Sequence, residues 1–179
     1  MIRAVAASAA PVGDGVLLLR EIAVADAAAL LRRYGLRLAL VADGAPIPGS
    51  YWGDSEAGLV GTTVHARADT PVHSLLHEAC HLIVLPPAWR ALVHTDATDC
   101  NEEEDAVCVL QSLLADLLPG VGRDRLFADM DAWGYSFRLG SARAYVEHDA
   151  DAAWQWLHDH GLVDASRGVL LPGAGESDF

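Results

Sequence analysis

The sequence predicts an α+β fold, a small antiparallel or mixed sheet packed on a bundle of helices. Three observations carry that expectation. The run Val72–Leu85 (VHSLLHEACHLIVL) is strongly apolar and is bounded by Thr70-Pro71 and Pro86-Pro87, which read as helix start and stop. A second apolar stretch, AVCVLQSLLADLL, begins behind four successive acids and ends at Pro119-Gly120. Short alternating segments separated by turn residues stand ahead of both, and helical patterns follow them. With 179 residues, 52% of them hydrophobic, the chain has material for one domain over residues 1–179 with a core of its own.

In chain order, Gly15–Glu21 is a short apolar run of either type. Ala25–Tyr34 reads as a helix, with Arg32 and Arg33 in its last turn and Gly35 as a left-handed stop. Leu36–Ala42 alternates as a strand and Asp43-Gly44-Ala45-Pro46 turns the chain. Ser50–Gly53 and Gly58–Gly61 flank Asp54-Ser55-Glu56-Ala57 like the arms of a hairpin, and Thr62–Arg67 is a further strand. Thr70 is the expected cap and Pro71 the first residue of the next helix. Beyond Pro119, Arg123–Trp133 and Ser141–His160 read as two more helices, the latter capped by Ser141. From about residue 167 the expectation is a poorly structured tail.

Inside the first apolar helix lies His77-Glu78-Ala79-Cys80-His81, an H-E-x-x-H pattern. At 3.6 residues per turn, His77 and His81 share a face and can grip one metal ion. Glu78 follows the first of them and is suited to take a proton from a metal-activated water. A helix this apolar is mostly interior, so the pair belongs to the floor of a cleft. Such a centre needs a third protein ligand. Asn101-Glu102-Glu103-Glu104-Asp105 can supply it, although acids at a helix start also complement its dipole. Neighbours on a helix are about 100° apart, so one or two of these acids can face the histidines. Taking Val107, Leu110, Leu114 and Leu117 as the inward stripe makes Glu103 the expected ligand, with Glu102 second and Glu104 third.

With H-E-x-x-H and a helical glutamate some twenty residues on, the chain resembles the gluzincin peptidases. Within them it is most similar to the small ImmA/IrrE-type metallopeptidases. The likeness spans roughly residues 25–120 and rests on the motif helix, on Glu103-Glu104-Asp105-Ala106, and on Leu117-Leu118-Pro119. It implies a zincin-like fold, Zn²⁺ held by His77, His81 and Glu103, and Glu78 as general base in peptide-bond hydrolysis. It also implies that Gly58–Arg67 lies along the cleft as a sheet edge that an extended substrate could join. Two positions depart from the family pattern. Val107 stands where Asn or Asp is usual, so the hydrogen bond that residue would make is either missing or supplied from elsewhere. Cys80 replaces a small or apolar residue.

An oxyanion-stabilising group is also expected, commonly Tyr or His. Tyr145 and His148 share a helix face and are the candidates for this role or for substrate contact, with Tyr135 and His94 in connecting loops as further options. His73 forms a second i, i+4 pair with His77, but only His77/His81 is followed by the needed acid. Cys80 and Cys108 read as core, and Trp154 and Trp156 as packing residues.

A net charge of −13 disfavours a phosphate-binding surface, hence no direct nucleic-acid partner is expected. There is no membrane-length apolar run, and the N-terminal stretch lacks the apolar centre of a signal peptide. Cys80, Cys100 and Cys108 are odd in number without CxxC spacing, which fits a reducing, cytoplasmic setting. The expected function is a zinc metallopeptidase acting on a protein or peptide, with oligomeric state open. The alternative is a catalytically inactive regulatory or peptide-binding protein on the same scaffold.

Overall fold

A computed structural model describes residues 15–51, 53–95, 97 and 100–172. The described elements are a 3₁₀ turn at Leu19–Glu21, α1 (Val24–Arg33), β1 (Arg37–Leu40), β2 (Gly58–Val60), β3 (Thr63–Ala66), α2 (Val72–Val84), α3 (Pro87–Arg90), α4 (Asn101–Ala115), α5 (Gly122–Trp133), α6 (Ala142–His148) and α7 (Asp151–Asp159). The class is α+β, a three-stranded mixed sheet beside a helical bundle, as the sequence predicts.

Sheet order is β1-β3-β2, with β1 parallel and β2 antiparallel to β3. Among the described residues, Ser50–Gly53 and Gly58–Gly61 form no strand pair of the kind expected. Instead β2 turns back on β3 through Gly61-Thr62, with Gly61 in the left-handed region. Trp52, in the expected first arm, lies outside the described residues. The 48–50 segment packs directly against β2, and a Cβ at Gly58 would collide with the backbone of Pro48 and Ser50. Consequently Gly58–Arg67 is not one edge strand: β2 is an edge and β3 is central.

The outer side of β2 is occupied as well. Leu59 N–H donates to Gly49 O, Thr95 N–H donates to Leu59 O, and Gly61 N–H donates to Val93 O. An exposed row of unpaired backbone groups invites pairing with other chains, and these contacts blunt it.

Helix α2 begins one residue later than the sequence suggests. Pro71 is its N-cap, not its first helical residue, and the Thr70 hydroxyl accepts the Arg67 N–H instead of capping the helix. Val72 N–H, an otherwise orphaned helix-start donor, reaches Leu17 O. At the other end Pro86 stops the helix, and the Arg90 guanidinium donates to the carbonyls of Ile83, Leu85 and Tyr34. Helix α1 ends as predicted, with Gly35 in the left-handed region and Leu36 N–H closing on Leu31 O.

Helix α4 sits at the centre of the bundle, against α2, α5 and α7. Every residue from Ala106 to Ala115 is buried, so the helix has no solvent face past its first turn. The predicted helix over 141–160 is two helices. Ser141 caps α6 by accepting Ala144 N–H, and the chain breaks at Asp149-Ala150, where the Asp149 carboxylate pairs with Arg138. Trp154, at the start of α7, folds its indole N–H back to Val146 O. Residues 167–172, expected to be tail, belong to the fold. Val163 bridges Val169, Leu170 N–H donates to Leu162 O, and the Arg167 guanidinium lies over the Trp154 ring. Residues 173–179 lie outside the described residues.

Candidate metal centre

One turn of α2 brings His77 and His81 together, with ring centroids 4.7 Å apart and Nε2 atoms 3.1 Å apart. The third group is supplied by the first turn of α4. Glu104 places Oε1 3.4 Å from His77 Nε2 and Oε2 3.4 Å from His81 Nε2. Among the described residues these three are the cluster of metal-binding type. Their side chains are 13%, 12% and 22% exposed, so the cluster is largely desolvated yet still reachable.

The donor set fits a small divalent ion. A tetrahedral ion bound at about 2.0–2.1 Å holds its ligand atoms about 3.3–3.4 Å apart. Observed separations of 3.1, 3.4 and 3.4 Å are close to that edge length. The rings are also in the right protonation state. Burial pushes His77 down to about 4; burial and the neighbouring His77 push His81 down to about 3 against a smaller opposing pull from Glu104. Both are therefore neutral near pH 7 and able to donate a lone pair.

The acid that meets the histidines is thus Glu104, and neither Glu103 nor Glu102 joins them. Because α4 is buried all round, the apolar stripe does not single out the side facing α2. Leu117, counted in that stripe, lies beyond the end of the helix and is 39% exposed. The side that meets α2 carries Glu104 and, one turn on, Cys108, which lies near Cys80 of α2. About 100° of rotation separates adjacent residues, enough to turn Glu103 aside. The pairing of two small buried residues, Cys80 and Cys108, was the available signal, since close helix contact favours small side chains at that seam.

Glu78 is half-buried on α2, and its charge is felt, with those of Glu104 and Glu56, at the Tyr135 hydroxyl. Tyr135 stands at the wall of the site. Helix α5 stops at Gly134, in the left-handed region, and Tyr135 N–H closes on Met130 O, which turns the phenol back toward α2. Its ring lies edge-on to His77 at 5.8 Å and to His73 at 5.7 Å. Burial, with Cys108 and the three carboxylates adding to it, raises its pKa well above the ordinary tyrosine value, so the phenol stays protonated.

The two residues first expected near the reacting atoms are placed differently from each other. Tyr145 is buried in the core, stacked on Phe137 at 5.0 Å, and the His148 side chain is 69% exposed beside Glu147. Helix α6 is a separate short helix packed mainly on α5, yet the Tyr145 hydroxyl still feels Asp105, Cys108 and Glu104 of α4, whereas His148 faces solvent. His94 is exposed, bonded to the Thr95 hydroxyl. Cys80 and Cys108 are buried free thiols, as expected of core residues, and Cys100 is exposed at the N-cap of α4.

Glu56 is a carboxylate that the sequence reading did not single out. Ala57 N–H donates to the Ser74 hydroxyl, pinning this loop to α2, and the Trp133 indole bonds the Glu56 carboxylate. Burial nevertheless pushes its pKa up, with Asp54 adding to the effect.

Compared with protein-family models, curated proteins and solved structures, the chain matches none. No helix among the described residues is long and apolar enough to cross a membrane.

Proposed function

We propose that this chain is a metal-dependent peptidase of the H-E-x-x-H type, related in design to the gluzincin and ImmA/IrrE-type enzymes and using zinc. The observation that carries the reading is the convergence of His77 Nε2, His81 Nε2 and the Glu104 carboxylate at tetrahedral-edge separations. Two imidazoles and one carboxylate are a donor set typical of catalytic zinc, leaving one position open. A bound divalent ion would supply a Lewis acid for a carbonyl oxygen and acidify an attacking water.

The chain's own residues account for the remaining tasks. Neutral His77 and His81 would hold the ion without adding charge, and Glu104 would offset part of its positive charge. Glu78, adjacent to His77 on the helix, takes a proton from the attacking water and returns it to the departing amine. Tyr135, a protonated phenol beside His77, is the candidate donor to the developing oxyanion, in place of Tyr145 or His148. The substrate in this reading is a protein or peptide. The net charge of −13 weighs against nucleic acid, and the free thiols accord with a reducing, cytoplasmic setting.

A non-catalytic reading, in which the metal serves stability and not turnover, draws support from the covered outer side of β2, because a substrate strand would find that edge already bonded to residues 49 and 93–95. Glu78→Gln distinguishes the two. In the enzyme, the variant retains one equivalent of zinc by elemental analysis and loses hydrolysis of an unfolded protein substrate. Zinc bound by the wild type with no turnover, unchanged in Glu78→Gln, would establish the non-catalytic reading instead.

A further inference from the structure

His73 lies one turn before His77 on α2 and is only 1% exposed. Among the described residues, neither of its ring nitrogens has a hydrogen-bond partner, and the same is true of His77 Nδ1. Three unpaired ring nitrogens on adjacent turns of one buried helix face are unusual, because desolvated polar atoms in native proteins are nearly always bonded. Residues i and i+4 on a helix have Cβ atoms about 5–6 Å apart. The two rings also share a wall. Tyr135 lies edge-on to His73 at 5.7 Å and 88° and to His77 at 5.8 Å and 79°, while Trp133 covers His73 at 5.0 Å.

The chemistry of ligation says what these atoms need. His77 turns Nε2 toward His81 and Glu104. A neutral imidazole that gives Nε2 to a metal carries its proton on Nδ1, and that N–H requires an acceptor to fix ring and tautomer. Neutral His73 has one acceptor nitrogen to offer. The two rings are not directly bonded, and a single water with two polar partners is the ordinary bridge across such a gap.

We propose that His73 is a positioning residue of the metal centre: through one buried water it accepts the Nδ1–H of His77 and so holds that ring on the ion. The inference rests on reading His77, His81 and Glu104 as metal ligands. No carboxylate or carbonyl among the described residues performs this task for His77. It also gives a reason for a histidine at a fully buried position, where an apolar residue of similar size would pack without unpaired nitrogens.

Zinc affinity of the wild type, His73→Phe and His73→Gln, measured by competition with a chromogenic chelator, tests this. Phe fills the site but accepts no hydrogen bond, and is expected to weaken zinc binding about 10–100-fold. Gln, whose amide oxygen can accept from the water, is expected to restore part of the loss. A merely structural His73 would shift the melting temperature and leave zinc affinity alone, so equal affinities in all three proteins overturn the proposal. Should His73→Phe fail to fold, imidazole ¹⁵N NMR of the zinc-loaded wild type decides. A His77 Nδ1–H protected from solvent exchange supports the bridge, and one exchanging freely refutes it. A wild type that binds no zinc would remove the metal centre and this inference together, whereas tight zinc binding indifferent to His73 removes the inference alone.

Discussion

Three buried imidazoles govern how the metal-free protein responds to acid. Burial pushes His73 down to about 3, His77 to about 4 and His81 to about 3, with the charge of His77 also acting on the other two. Between these values and the ordinary 6.5, the unfolded chain binds protons that the folded chain refuses. Stability from this source is therefore intact above pH 6.5 and is lost as pH falls toward 4, by at most about 1.4 kcal/mol per pH unit for each ring. Glu56 and Asp105, whose carboxyls burial pushes up, act in the opposite sense, while His65, also pushed down by burial, and the hydrogen-bonded Asp69, Asp149 and Asp164 act with the three rings. Denaturant unfolding with chelator present should show markedly lower stability at pH 5 than at pH 7; equal values would mean the rings are not desolvated. The histidine pair and Glu78 were legible in the sequence because i, i+4 spacing on one helix is local geometry. Tyr135 was harder to rank, since its approach to His77 depends on the turn at Gly134 and on how α5 meets α2.

At the scale of elements, α4 explains both what sequence could read and what it could not. Its existence and its acidic start follow from composition and dipole, but its rotation does not. A helix buried from Ala106 to Ala115 offers no polar face for orientation, so choosing among Glu102, Glu103 and Glu104 needed the packing partners themselves. The hairpin at Ser50–Gly61 failed for a related reason. Turn residues mark where the chain bends, whereas β2 found its partner in β3 across the two-residue Gly61-Thr62 connection. The single helix expected over 141–160 is interrupted at Asp149, whose backbone leaves the helical region at φ −133° and whose carboxylate pairs with Arg138, eleven residues away in sequence. Helix α4 is also the mechanical support of the site. Leu110, fully buried at its middle, should on replacement by Ala cost about 2–5 kcal/mol in chemical denaturation. A loss below about 1 kcal/mol would show that α4 is not packed on all sides.

For the whole molecule, the fold gathers its ligands from two helices separated in sequence by α3 and the linker after it, so an ion would tie α2 to α4. A ligand that binds only the folded state stabilises it by about 4 kcal/mol at a thousandfold excess over its dissociation constant. Zinc should accordingly raise the melting temperature by several degrees and chelator should reverse the gain; a melting point indifferent to zinc would mean the two helices are not linked through it. The α+β class was legible at this scale from the segregation of short strands before Val72 and helices after it. Sheet order was not, because the parallel pairing of β1 with β3 is fixed by long-range contacts that local patterns do not encode.

The central claim is that Glu104, with His77 and His81, completes one metal centre. Its most direct test is zinc titration by calorimetry of the wild type, Glu104→Gln and Glu103→Gln in parallel. One equivalent should bind the wild type and Glu103→Gln with similar affinity, and binding to Glu104→Gln should fall at least tenfold. Loss of zinc in Glu103→Gln with affinity intact in Glu104→Gln would contradict the account.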